Sequence, residues 1–507
     1  MSKISAMHYL FALIIPIISF FFQIYPRFFN RYFGVDVWSR MLETDYIRKN
    51  GHRVPKEKIS GGFILEGFFN YPPVLPWMLS FLSKKTLFNI QGFIAPIFDI
   101  LQNILVFFIT WQITGQIEIA FLAQLIYATI PLTILENSYL TPRSLGYLNF
   151  TLAFYPLLLY SIQPNSLYLL ISFIFLTLSF FTHKFAAQSL FFACLFFSII
   201  ENRTSPYLVI FFLSFFSAII LSRGYYLRIL QGHIDNIRFW MRNYEYRFAH
   251  QVRGIIKQRG KTDFVGQVYY LLGTFTPLTL IGTNIWTIFP LIFFAASFLN
   301  WTFLPFDNPL IYKMSIWVVS FYILSILVLS IKYLIPIGEG QRYLEMALAP
   351  TAVISAIFFS SLLNTGHKDI GIIIFLSILF VNIALTIFVQ RKGIIEDKNR
   401  SVTKDMKKIF SYINKLRFTP RILCIPHQIT TLILYNTKAK VLVDIQAGTL
   451  QKIEDVFPTL RSSISEIAKK YSLNILVLKK DYASMKELKL SKKALLFETE
   501  DTQIFRI

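Results

Sequence analysis

The sequence predicts a polytopic α-helical membrane protein with a small α/β domain at its C-terminal end. Three observations carry that expectation. Of 507 residues, 54% are hydrophobic, and 53 are Phe. Only 15% are charged, against about 25% in an ordinary soluble domain. The charge is also uneven: residues 1–390 hold 27 basic and 16 acidic side chains, and residues 391–507 hold 23 and 12. A soluble fold has too little interior to hide so much apolar surface, which excludes a globular cytosolic enzyme, a disordered chain, a coiled coil and a disulfide scaffold. Only the last stretch has soluble composition. The division expected is therefore a membrane domain over 1–390 and a soluble domain over 391–507.

A spanning helix needs about 20 mostly apolar residues. Candidate spans are 7–25, 87–111, 117–135, 147–163, 166–182, 185–200, 206–222, 268–300 (one long or two short), 311–335, 346–363 and 370–390, about 11–12 helices. Lys3 precedes the first, and no small-x-small cleavage site follows it, so it is expected to be an anchor and not a removed signal peptide.

Three polar stretches remain: 26–71, 223–266 and the tail. In the tail, RILCIP (421–426), TTLILYN (430–436), KVLVDI (440–445) and NILVLKK (474–480) are β-rich runs bounded by turn residues. The stretch 459–471 has helical spacing, and LFETEDTQIFRI closes the chain as a hairpin. This domain is either a structural cap or a partner surface.

Several function classes fall away. The +22 net charge is shared by both parts of the chain, which suits a membrane surface or anionic headgroups better than nucleic acid; no nucleic-acid partner is expected. Cys194 and Cys424 make no disulfide framework, and the seven His have no zinc spacing. There is no Walker loop and no Gly-x-Gly-x-x-Gly.

Alternation of spans puts 26–71, the turn 136–146, the turn 182–184 and the loop 223–266 on one face. With 268–300 as a single span, 338–342 and the tail join them. Positive-inside counting would make this basic face cytoplasmic.

The first loop carries the chemistry. Asp36 sits just past the first helix, and Arg40 is four residues on, where a helix puts both on one face. An acid at the mouth of a bundle is costly unless it pairs, binds a cation or works as a base. The plain alternative is a solvated acid paired with Arg40. Further on, Arg143, Gly146 and Tyr147 stand in LENSYLTPRSLGYLNFTL, with Glu136 the carboxylate close by. His183 and Lys184 interrupt an apolar run, and Arg342 and Tyr343 lead into a late helix. A guanidinium suits phosphate because it is a planar, permanently charged fork of donors; the alternative is an Arg snorkelling to headgroups. In 223–266, Arg228, Arg238, Arg242 and Arg247 alternate with Tyr225, Tyr226, Phe239, Trp240, Tyr244 and Tyr246, a strip suited to a membrane interface or a sugar chain.

The Asp36–Arg40 spacing, the "YIRKNGH" step and the "NYPPVLPW" return resemble the GT-C superfamily of polyprenyl-phosphate-dependent glycosyltransferases. The first loop is most similar to the catalytic subunit of oligosaccharyltransferases. The turn with Arg143, Gly146 and Tyr147 agrees, except that Asn149 stands near the place of a family acid that helps hold a metal. The Gly-x-Arg-Tyr lead-in at Arg342 and Tyr343 looks like that of many GT-C enzymes, where the Arg meets the lipid phosphate. The Trp-Trp-Asp acceptor motif is absent, so transfer to asparagine is not implied.

The resemblance implies an integral-membrane glycosyltransferase, moving a sugar from a polyprenyl-phosphate donor to a glycan, lipid or protein acceptor by single displacement with inversion. Asp36 would be the general base. Arg40, Arg143, His183, Lys184, Arg342 and Tyr343 would bind substrate. A divalent metal, Mg or Mn, is the implied cofactor, with Asp36 and Glu136 as available ligands; the Asn149 departure weighs against it. The resemblance places the active face outside the plasma membrane, since basic residues at such a site answer to phosphate and not to topology. Two alternatives stand: a flippase or transporter of lipid-linked sugars, and a non-catalytic assembly subunit. A transporter predicts charges in mid-helix and an internal repeat; Asp99 and Glu118 are the main such charges, and the halves show no repeat.

Overall fold

A computed structural model describes residues 6–59, 62–201, 206–246, 252, 276–299, 304–305, 307–331, 333–364, 368–397, 401–442 and 450–507; side chains are not described for 6–11, 245, 276, 278 and 279. Part of the strip in 223–266, Arg247 included, and residues 268–275 of an expected span lie outside the described residues. The chain forms two compact units. One is Met1–Arg31 with Gly92–Tyr226 and Gly273–Ile395; the other is Tyr32–Gln91 with Leu227–Leu272 and Glu396–Ile507.

The first unit is helical and apolar. Among the described residues, five helices are long and apolar enough to cross a membrane: Lys84–Thr114, Arg143–Ile162, Pro309–Ser330, Gln341–Leu363 and Lys368–Ile395. Two bent pairs, Ile117–Ala128 with Pro131–Asn137 and Tyr207–Leu221 with Tyr225–Arg242, would bring the number to seven if each were one span. Shorter apolar helices cover Ala12–Phe28, Ser166–Thr182, Lys184–Ile200 and Ile285–Phe298. Every span expected from hydropathy thus coincides with a helix in its described part, and the span 117–135 is bent by 59° at a break. The first bend has a local cause. Pro131 lacks an N–H to continue the helix, and Ile130 before it is extended.

Packing in this unit is largely aromatic. Trp317 lies 4.9 Å from Phe154 and 5.5 Å from Phe150, ring centre to ring centre, and Phe289 lies 4.5 Å from Phe359. The helix Lys368–Gln390 instead leaves Ile370, Ile373, Leu376 and Phe380 exposed, as a lipid-facing helix does. The mid-span acid Asp99 is buried and accepts from Gln23 at 2.5 Å and Tyr127 at 2.8 Å, the partnering that an intramembrane carboxylate requires.

The second unit holds a five-stranded sheet in the order Lys440–Val441, Arg421–Ile425, Ile475–Lys479, Thr502–Arg506, Leu495–Glu498. The first two pairings are parallel and the last two antiparallel, so the expected closing hairpin forms. The helix Ile464–Tyr471 starts at a capping box of Ser463 and Glu466, which satisfies two otherwise orphaned N–H groups. TTLILYN departs from expectation: Thr430–Asn436 is a helix. It lies between two parallel neighbouring strands, and such strands can be joined only by a crossover.

The core of this sheet is not made by the tail alone. Phe239 is fully buried in it, and Ile64, Leu65 and Trp240 pack against it. Residues expected as a loop at 225–242 form the helix Tyr225–Arg242. Phe239 stacks on Phe457 at 6.0 Å, and Arg242 pairs with Glu454, so this end of the basic aromatic strip is occupied by protein. The first loop folds as the helix Asp36–Lys49, a two-stranded ladder of Lys58–Ile59 with Gly67–Phe68, and the short helix Val74–Ser80.

Candidate active site

Three segments of the first unit meet around buried charges. In the first, Pro142 precedes the helix Arg143–Ile162, whose first residue is Arg143. Its buried guanidinium pairs with Glu136 and lies 3.7 Å from Glu345. Tyr139 donates to Glu136 at 3.1 Å, and Tyr147, one turn into the helix, donates to Glu345 at 2.5 Å. Glu345 is 1% exposed.

The second segment is His183–Lys184, the extended step between the helices Ser166–Thr182 and Lys184–Ile200. His183 is buried against Gly146, where an added Cβ would lie 3.1 Å from the His183 Cβ and 3.2 Å from Nδ1. Gly146 is therefore needed for close approach. Asn149 donates to Thr182 at 2.9 Å and ties the helix Arg143–Ile162 to the helix Ser166–Thr182. Lys184 is half-buried.

The third segment is 336–345. Arg342 donates through Nε to Glu339 at 2.8 Å, and its guanidinium stands 5.0 Å from the centre of the Phe185 ring. Tyr343 is fully buried. Its hydroxyl donates to the Ile337 carbonyl at 3.0 Å, and its ring meets Phe185 edge-on. Phe185 in turn faces His183 at 6.0 Å. Arg143, His183, Arg342 and Tyr343, spread over 200 residues of sequence, are thus joined through Glu345, Gly146 and Phe185. Each arginine is held by carboxylates, which fixes its fork of donors before any anion arrives.

Asp36 and Arg40 belong to the second unit. Asp36 is half-buried at the first position of its helix, and among the described residues its side chain makes no ion pair or hydrogen bond. Arg40 does not pair with it, although both are on one helix. Arg40 is buried, pairs with Glu43 at 2.6 Å and lies over the Tyr71 ring at 3.7 Å. The Tyr-Pro-Pro return thus supplies a ring that stacks on the guanidinium.

Glu345 is the residue that sequence reasoning passes over. The available signal is a carboxylate at the start of an apolar helix, a placement that is rare unless a partner is close. For the implied metal, the described residues fit poorly. Glu136 already answers Arg143 and Tyr139, and among the described residues no three His, Cys, Asp or Glu side chains gather as a ligand set.

No protein-family model matches the chain, and no curated protein matches it in sequence. Solved structures do match. An apo oligosaccharyltransferase from Archaeoglobus fulgidus shares 15% identity at a TM-score of 0.58, over 96% of this chain and 72% of the other. The archaeal oligosaccharyltransferase AglB from Archaeoglobus fulgidus, in complex with an inhibitory peptide and a dolichol-phosphate, shares 13% at 0.54, over 95% and 70%. ArnT from Cupriavidus metallidurans, bound to undecaprenyl phosphate, shares 12% at 0.53, over 99% and 98%. At such identities the likeness is one of fold: this multi-pass membrane chain has the fold that the two archaeal oligosaccharyltransferase structures and ArnT share.

Proposed function

We propose that the chain is an integral-membrane glycosyltransferase that takes a sugar from a polyprenyl-phosphate donor and passes it to a hydroxyl of a glycan, lipid or protein acceptor. The observation that carries this reading is the gathering of Arg143, His183 and Arg342 within that shared fold. Two proteins of that fold hold dolichol-phosphate and undecaprenyl phosphate. A lipid-linked donor explains why phosphate-binding groups lie among apolar helices: its tail stays in the bilayer. Residues 1–390 would form the membrane domain and 391–507 the soluble one, with the active face outside the plasma membrane.

Asp36 is the proposed general base. Its carboxylate has no described partner and can take the acceptor hydroxyl proton as the oxygen attacks the anomeric carbon. Such a base contributes roughly 10²–10⁴-fold in rate. Arg342, with Arg143, His183 and Lys184, stabilises the charge that grows on the departing phosphate; Arg40 and Tyr343 complete the proposed binding set. One base without a covalent nucleophile implies inversion. No step is derived through a metal.

Reconstitution with a labelled polyprenyl-phosphate sugar tests the reading. Transfer supports it; translocation without transfer identifies a flippase, and neither identifies an assembly subunit. Asp36→Asn is expected to cut kcat at least a hundredfold, and undiminished transfer by that variant removes the assigned base.

A further inference from the structure

We propose that the C-terminal sheet positions the first loop, and with it Asp36, through a strand added at residues 62–64 and through the tilted ring contact of Trp38 with Tyr435. The inference rests on the role given above to Asp36, but its core is mechanical and can be tested apart from transfer.

The edge of the tail sheet is the short strand Lys440–Val441. A sheet edge offers a row of unpaired N–H and C=O groups, and here the first loop takes them. The Val441 N–H donates to the Gly62 carbonyl at 2.9 Å, the Ile64 N–H donates to the Val441 carbonyl at 2.8 Å, and Phe63 bridges Val441 in parallel register. This is strand addition within one chain, with backbone bonds giving the hold and alternate side chains the register. Gly62 is required at the junction. Its φ of +96° is in the left-handed region, and a Cβ there would lie 2.4 Å from Leu434 Cδ1.

From this strand the hold reaches the helix of Asp36 by two routes. Phe63, buried against the sheet edge, faces Tyr46 on that helix at 6.5 Å. The helix Asp36–Lys49 also packs on the helix Thr430–Asn436, where Trp38, 2% exposed, meets Tyr435 at 5.5 Å. Trp38 is two residues from Asp36, so a tilt about this contact moves the carboxylate. Tyr435 is a positioning residue: its ring is the platform, with Lys84 4.6 Å from its centre. A misplacement of about 1 Å in a reacting group can cost about a hundredfold in rate.

The test compares Tyr435→Ala, Tyr435→Phe and Gly62→Ala in the full chain by two readouts, hydrogen exchange and transfer kinetics. Tyr435→Ala and Gly62→Ala should speed exchange of the 36–49 amides at least tenfold, while strands Arg421–Ile425 and Ile475–Lys479 keep their protection. They should lower kcat about ten- to a hundredfold, and Tyr435→Phe should keep both exchange and kcat at their wild-type values. Unaltered exchange over 36–49 in both disruptive variants overturns the proposal, whatever the transfer rates. Should Tyr435→Ala unfold the sheet itself, Gly62→Ala decides by the same criterion. A wild-type chain that transfers no sugar defeats the functional reading alone, because exchange still decides the positioning.

Discussion

The Tyr147 hydroxyl donates to Glu345 at 2.5 Å and so joins the helices Arg143–Ile162 and Gln341–Leu363 through one buried carboxylate. Arg143, 3.7 Å away, supplies the countercharge. The group is stable only as a set, since a buried acid that loses a partner keeps its desolvation cost. Tyr147→Phe is expected to cost about 1–3 kcal/mol and Arg143→Ala about 3–5 kcal/mol, read as lower unfolding midpoints in detergent. Glu345→Gln should offset much of the Arg143→Ala loss. Strictly additive losses would show that the three groups do not act as one network.

A different outcome is expected at Gly146, which sits inside a helix against His183. Alanine at a helix interior is favoured over glycine by about 1 kcal/mol, but here its methyl meets the Cβ of a buried ring that has little room to retreat. Gly146→Ala should therefore lower the unfolding midpoint in the wild-type background and raise it in a His183→Ala background. Because the sign itself reverses, the pair of midpoints tests the contact directly. A midpoint lowered equally in both backgrounds would mean that His183 is not what confines this position.

Much of this architecture is legible in the sequence. Hydropathy alone locates the apolar helices, because a lipid-embedded face needs a long apolar run whatever it packs against. The ends of those helices are less legible. A bend such as that at Ile130 and Pro131 divides one hydropathy peak into two helices without lowering it. TTLILYN reads as a strand because periodicity cannot separate short apolar runs; only its place between parallel neighbours makes it a crossover helix. Residues 225–242 read as a surface strip, yet Phe239 is buried against Phe457. A basic amphipathic pattern tells that one face is apolar and not what covers it. At the candidate site, Arg143 and Arg342 stand out as charges beside apolar runs. Glu345 does not, since its meaning lies in Tyr147 and Arg143, far off in sequence.

A second ion pair makes a stability prediction independent of the candidate site. Lys313 pairs with Glu201 and donates to Ser161 at 2.7 Å, and Tyr207 donates to the same Glu201 oxygen at 2.8 Å. The four residues lie in or beside the ends of Arg143–Ile162, Lys184–Ile200, Tyr207–Leu221 and Pro309–Ser330. Partly buried and multiply bonded, the pair should be worth more than an exposed one, whose median is about 0–1 kcal/mol. Lys313→Met should lower the midpoint by more than Lys313→Met does when added to Glu201→Gln. Equal effects in the two backgrounds would mean that the pair contributes nothing beyond its separate side chains.

The tail should also give the protein a pH dependence through His427. Its ring lies 5.0 Å from that of Phe457, centre to centre, and burial pulls the imidazole down to about 4 from 6.5. Between those values the unfolded chain binds the extra proton and the folded chain does not. Stability is therefore complete above about pH 6.5, falls as the pH drops through the window and levels off below about 4. The half-buried ring keeps the loss below what the full shift would give. Thermal midpoints of the full chain from pH 7.5 to 4.5 check this: the wild type should fall more steeply than His427→Gln, which carries no titrating group at that position. Parallel curves for the two proteins would assign the acid sensitivity to other groups.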